Sequence, residues 1–119
     1  MARYLAVFTG TPESRAASGW DALPEDQRKA REREGIAAWK QWMAPNSGAV
    51  QAQGAPLGKT LRVDKQGAHP IRNAMTAWVV VDADSHEAAA KLFEQHPHFT
   101  IFPGDGVEVM ECLPMPMGD

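Results

Sequence analysis

The chain has 119 residues, of which 44% are hydrophobic and 23% are charged, a balance that suits one packed core and argues against disorder. The net charge of −3 gives no electrostatic reason to expect nucleic acid or an anionic membrane as a partner. The single cysteine, Cys112, cannot form a disulfide within the chain, and no apolar run is long enough for a signal peptide core or a membrane span. We therefore expect one domain over residues 1–119 that works in the cytoplasm.

The first half of the chain predicts a strand, a loop and a long helix. Residues 3–9 are rich in aromatic and branched side chains and predict a strand covered on both faces. Residues 10–22 are predicted to form a loop that buries Trp20. Pro24 and the acidic residues after it begin a helix, and Pro45 is expected to end it.

The second half predicts a series of strands around one more helix. Residues 74–81 give the strongest strand signal, and a helix follows that begins at Asp84 or Ser85 and is ended by Pro97. The remaining segments predict a weak strand, a short strand or ribbon, a polar turn region, a last strand and an irregular tail, at residues 48–53, 59–63, 64–73, 106–113 and 114–119.

This order of elements predicts an α+β fold of the ferredoxin-like β-α-β-β-α-β type, with both helices on one face of an antiparallel sheet. The other face of the sheet would carry apolar side chains, among them Trp78. Because a large uncovered apolar face marks an interaction surface, we expect a homodimer whose two sheets meet face to face.

The same order of elements resembles the YCII-related family, also called DGPF-type proteins. The resemblance rests on the entry to the second helix at residues 83–88, on His96-Pro97 after it, and on the closing strand at residues 106–109, and it covers nearly the whole chain. It implies a dimeric α+β barrel of ferredoxin-like subunits with an active-site cleft. Most members have no assigned function, and a few relatives act as dehydrochlorinases on lactone-type intermediates of aromatic breakdown.

Two features of that family are missing from this chain. The family's helix-one histidine, which pairs with an aspartate, would fall near Gly35 or Ile36, and the first 68 residues contain no histidine. The Asp-Gly-Pro-Phe signature is absent from residues 64–75. The family's catalytic dyad therefore does not transfer, and any chemistry must use other side chains.

The loop and strand from His96 to Glu111 carry the best candidates for that chemistry. We expect His98 to move a proton, since an imidazole titrates near neutral pH, and Asp105 to orient it. Glu108 and Glu111 lie on opposite faces of the last strand, so one of them should point inward, where burial would raise its pKa.

Each of the remaining candidate residues has a structural interpretation as well as a functional one. His96 either caps the end of the second helix or contributes to ligand binding. Trp39 and Trp78 either line the pocket or belong to the core. No metal or cofactor is expected, the alternative being a site of His96, His98 and a nearby carboxylate.

Three hypotheses on function follow from these residues. The first is a small homodimeric enzyme of acid–base type, acting on a small carbonyl or lactone compound. The second is a non-catalytic module that binds a small ligand or a partner. The third is a purely structural dimer whose cavity is filled by side chains.

Overall fold

The computed structural model describes residues 1–116. Residues 114–116 have no regular structure, and the rest of the predicted irregular tail, 117–119, lies outside the described residues. The strands are β1 Ala2–Thr9, β2 Val50–Ala52, β3 Thr60–Asp64, β4 Gly67–Ile71, β5 Met75–Ala83 and β6 Gly106–Glu111. The helices are α1 Pro12–Ser18, α2 Glu25–Asn46, α3 His86–Lys91 and α4 Pro97–Thr100, with a short 3₁₀ turn at Trp20–Ala22.

Four strands form an antiparallel sheet in the order β2-β5-β1-β6. The two strands that pair along their whole length, β1 and β5, lie at its centre, as their long apolar runs require. This is the strand order of a ferredoxin-like sheet with a ribbon inserted before β5, so the predicted α+β fold is confirmed.

One face of this sheet packs against the helices and forms the core. Strand alternation places Tyr4, Ala6 and Phe8 on that face, and the register sets Val79 and Val81 beside them. Trp39 and Trp42 of α2 and Phe93 after α3 cover these side chains. These contacts come from the second half of α2, whereas its first half, residues 25–34, is mostly exposed.

The opposite face of the sheet is covered by no element of residues 1–116. Leu5 and Val7 of β1 pair with Val80 and Trp78 of β5, and Met110 of β6 extends the same row. These side chains are half-buried by one another, except that Val7 is buried and Met110 is 41% exposed. The predicted apolar open face is therefore present.

The insertion between β2 and β5 differs from its prediction. Residues 64–73 were expected to be a polar turn region, but 67–71 form β4, which pairs with β3 in a separate two-stranded ribbon. The ribbon projects from the sheet, and the Cα radius of gyration of 16.6 Å exceeds the roughly 13.5 Å expected for a compact chain of this length. Leu61 and Val63 are 67% and 76% exposed on one of its faces.

The helices depart from their predicted bounds in three places. The predicted loop at 10–22 contains α1, which Thr11 caps through its side chain, although Trp20 is buried as expected. The helix α2 continues through Pro45 to Asn46. Pro97 does not end the second helix, which stops at Lys91, but occupies the first turn of α4. None of the described helices is long and apolar enough to cross a membrane.

Candidate functional site

A cleft opens between the second half of α2, the start of β5 and the two segments 53–56 and 98–104. It consists of three adjoining cavities of about 370, 480 and 420 Å³, which share lining residues from one to the next. Volumes of this size suit a small organic molecule. The walls are mostly apolar and include Phe8, Trp39, Trp42 and Phe102.

The position of Phe102 in the cleft wall depends on a glycine in the middle of α2. Gly35 is buried, and a Cβ atom there would lie 2.5 Å from the Phe102 ring. Glycine inside a helix lowers the stability of the helix by about 1 kcal/mol relative to alanine. At this position it also allows the Phe102 ring to pack closely against the helix backbone. The phenyl group thus packs where the resemblance would have placed a helix-one histidine.

His98 lies at the junction of two of the cavities. Its Nε2 lies 2.7 Å from the carbonyl oxygen of Thr9 and must donate the proton, because a carbonyl oxygen only accepts. In the neutral imidazole Nδ1 then carries the lone pair, and this atom makes no hydrogen bond within residues 1–116. The residue is 9% exposed and lines the cleft, so the structure orients one ring nitrogen and leaves the other without a hydrogen bond to residues 1–116.

Gly104 fixes the imidazole from the other side. A Cβ atom at this position would overlap both the ring and the carbonyl group of His98. The Gly104 backbone N–H donates a hydrogen bond of 3.0 Å to that carbonyl, which closes the turn after α4. Glycine is therefore needed here because the backbone closely approaches the imidazole.

His96 is fully buried and serves as the N-cap of α4. Its Nδ1 accepts a hydrogen bond of 3.0 Å from the His98 backbone N–H, which leaves the proton of the neutral ring on Nε2. Nε2 has no conventional partner in the described part of the chain. The rings of Trp39 and Trp42 pack edge-to-face with it at centroid distances of 4.5 and 4.8 Å, and their π faces are weak acceptors for such an N–H group.

Burial sets the protonation state of both histidines. Desolvation by burial lowers the pKa of His96 to about 4, and the charge of the neighbouring His98 contributes a smaller effect in the same direction. Burial also lowers the pKa of His98, against the opposing effects of the Thr9 hydrogen bond and the Asp105 charge. Both rings are neutral at pH 7. His96 thus caps the start of α4 and not the end of the second helix.

The structure does not bring the other predicted site residues to His98. Asp105 is exposed, and its carboxylate is not hydrogen-bonded to His98 within residues 1–116; the Thr9 carbonyl holds the ring instead. Asp105 contributes its charge and a backbone N–H, which donates to the same carbonyl oxygen at 2.8 Å. Glu108 is exposed and pairs across from Val7, which places it on the open face of the sheet.

The two tryptophans predicted for the site, Trp39 and Trp78, lie in different parts of the structure. Trp39 lines the cleft and also packs against the core. Trp78 borders the cleft next to Gly54, but its place in β5 aligns it with Val7 and Val80 on the open face. No group of three His, Cys, Asp or Glu side chains that could hold a metal ion converges within the described residues.

The cleft contains charged residues that the sequence did not single out. Lys40 lines two of the three cavities and Arg15 the third. No Asp or Glu side chain of residues 1–116 lines any of the three. A signal for Lys40 was present, since it follows Trp39 on the packed half of α2, whereas nothing marked the Thr9 carbonyl, because every residue has one.

No family model matches the chain, and no curated protein sequence matches it. Among solved structures, it is similar to 5-chloro-2-hydroxyhydroquinone dehydrochlorinase (TftG) from Burkholderia phenoliruptrix AC1100, in complex with 2,5-dihydroxybenzoquinone. The two align over 98% of this chain and 99% of that one, with a TM-score of 0.56 and 15% sequence identity. At this identity the likeness shows the fold, and it shows that a small enzyme is built on the same arrangement of helices and strands.

Proposed function

We propose that the chain is a YCII-like, single-domain enzyme of acid–base type, in which Nδ1 of His98 removes a proton from a small carbonyl or lactone compound. The observation that carries the proposal is a neutral imidazole at the cleft, held by the Thr9 carbonyl through Nε2–H. A general base needs a free lone pair and a pKa at or below the working pH. The likeness to a small-molecule dehydrochlorinase supports this reading.

In the proposed step, Nδ1 takes a proton from the carbon next to the carbonyl group. The C–H electron pair becomes a C=C bond while the carbonyl π pair moves onto the oxygen, which gives an enolate. The oxygen pair then re-forms the carbonyl as the imidazolium returns its proton to another carbon, or as a leaving group departs from the adjacent carbon with its bonding pair and the imidazolium releases its proton to that group or to solvent. Asp105 would favour the protonated imidazole through its charge, since it raises the pKa of His98. No cofactor is required for this step.

The test begins with a thermal-shift screen of small carbonyl and lactone compounds against the wild type. Compounds that bind are incubated in D₂O, and exchange of the proton next to the carbonyl is followed by NMR. We expect His98→Gln to keep binding and to lose exchange by a factor of about 10² or more. His69→Gln, at an exposed imidazole on the ribbon, is the matched control. Equal exchange in His98→Gln and the wild type would refute the assignment.

One observation favours a second candidate, a non-catalytic module that binds a small ligand. His98 is the only imidazole, and there is no carboxylate, among the residues of 1–116 that line the cleft, because Asp105 and Glu108 lie elsewhere. In that case ligands found by the screen bind without exchange in the wild type as well.

We propose further that two chains associate through the open sheet face. The row of Leu5, Val7, Val80 and Met110 supports this, as does the resemblance to a family of dimeric barrels. Glu108 and Trp78 then belong to the interface and not to the catalytic site. The unpaired thiol of Cys112 agrees with a reducing compartment, so we retain the cytoplasm as the proposed location.

Light scattering at micromolar concentration is expected to give about twice the 13.0 kDa mass of one chain. Met110→Lys, which places a charge on the open face, is expected to shift the protein to monomer, because a buried unpaired charge opposes association. Leu61→Lys on the ribbon is the control and should leave the dimer intact. A wild-type monomer, or equal effects of both variants, would contradict this interface.

A further inference from the structure

The charge of the cleft is opposite to the charge of the chain. The sequence has 15 acidic and 12 basic residues, yet the charged side chains that line the cleft within residues 1–116 are Lys40 and Arg15, both basic. A basic opening in an acidic protein concentrates and orients anions.

The two cations are not equivalent. The Arg15 guanidinium forms two hydrogen bonds of 2.9 Å with the Asp21 carboxylate, so its charge is already compensated. Lys40 forms no ion pair with any residue in the described range, whereas Lys29 on the same helix pairs with Glu25 at 3.2 Å. The cleft therefore holds one uncompensated positive charge.

The surroundings of Lys40 restrict the shape of the anion. Trp39, Phe102 and His98 line the same cavity of about 480 Å³, together with the apolar side chains of Ile36, Pro56 and Ala77. Flat aromatic walls favour a planar ligand, and one free cation favours a single negative charge.

We infer that the ligand of this cleft is a small planar monoanion, and that Lys40 is the residue that selects for its charge. Lys40 binds the anionic group at the opening of the cleft, and the planar body lies between the aromatic walls beside His98. The inference rests on the proposed function only in taking this cleft as the site. Lys40 is thus a specificity residue, separate from proton transfer.

A matched pair of probes tests the selection for charge. Benzoate and benzamide have nearly the same shape, and only benzoate is charged at pH 7. Binding is measured by calorimetry and by quenching of tryptophan fluorescence at low ionic strength. We expect the wild type to bind benzoate about tenfold more tightly than benzamide, because a hydrogen bond between a cationic donor and a carboxylate is stronger than one to a neutral amide.

Three variants complete the experiment. Lys40→Met is expected to remove the preference for benzoate and to leave benzamide binding unchanged, and Lys40→Arg to keep most of it. Lys29→Met makes the same change in net charge on the same helix outside the cleft, and should behave as the wild type. Equal binding of the two probes to the wild type, no binding of either, or equal effects of Lys40→Met and Lys29→Met would overturn the inference.

Failure of this inference can be told apart from failure of the proposed enzyme. Proton exchange that depends on His98 without any preference for benzoate overturns only the role of Lys40. A preference that Lys40→Met abolishes, in a protein that catalyses no exchange, overturns only proton transfer and leaves an anion-binding module.

Discussion

Replacing Phe8 with alanine is expected to lower the free energy of unfolding by about 4 kcal/mol, the usual cost of removing a buried phenyl group and leaving a cavity. Phe8 is 2% exposed and belongs at once to the core and to the cleft wall. Its ring lies 5.2 Å from that of Trp39, 5.0 Å from His96 and 5.2 Å from His98. The loss is a large fraction of the 5–15 kcal/mol by which domains of this size are stable.

Urea denaturation at pH 7 measures this effect. Leu61→Ala is the control, because it removes a similar volume from a side chain that is 67% exposed, and we expect its change to stay within about 0.5 kcal/mol. A loss below about 1 kcal/mol for Phe8→Ala would mean that the cleft closes over the missing ring, and that the cleft and core are not one packed unit.

Much of this fold follows from local patterns in the sequence. The apolar runs of β1 and β5 are long because both strands lie in the middle of the sheet, and their length was visible in the residues. Pro24 before two acidic residues marked the start of α2, and Ser85, which caps α3, was one of the two predicted caps. These signals are local, so the elements that they mark can be predicted without knowledge of the tertiary contacts.

The segment His96-Pro97-His98 shows where local signals become ambiguous. Proline disfavours helix at the residue before it but suits the first turn of a helix that it begins. The first effect predicted that Pro97 ends the second helix, and the second effect describes the structure, in which Pro97 begins α4 with His96 as its N-cap. Because both readings need the same residue, only the packing of the histidine among the tryptophans decides between them.

The predicted carboxylates lie away from the cleft for a different reason. Glu108 and Glu111 do lie on opposite faces of β6, as their spacing predicts, but β6 is an edge strand and both side chains remain exposed. The group that does orient His98 is a backbone carbonyl, at the point where the register of β1 with β5 shifts between Phe8 and Thr9. Such an irregularity depends on the whole sheet and has no signature in side-chain types.

Acid is expected to destabilise the protein before most carboxylates are protonated. In the unfolded chain His96 takes up a proton as the pH falls through about 6.5, whereas in the folded chain burial holds its pKa at about 4. The stability that the buried, neutral imidazole of His96 contributes is therefore fully present above pH 6.5, and it is lost as the pH falls toward 4. The difference corresponds to roughly 3 kcal/mol, and His98, whose pKa is lowered in the same direction, adds to it.

The free energy of unfolding, measured in urea from pH 7.5 to 4, should show this fall, and His96→Asn isolates its cause. Asparagine is a good N-cap residue, so the variant keeps an acceptor for the His98 backbone N–H while it removes the titrating ring. We expect the variant to be less stable than the wild type at pH 7, because the ring volume is lost. The difference in free energy of unfolding between the two proteins should then narrow by about 3 kcal/mol as the pH approaches 4. Curves for His96→Asn and the wild type that stay parallel over this pH range would show that the imidazole is not held neutral by its aromatic surroundings, and the proposed structural role of His96 would lose its physical basis.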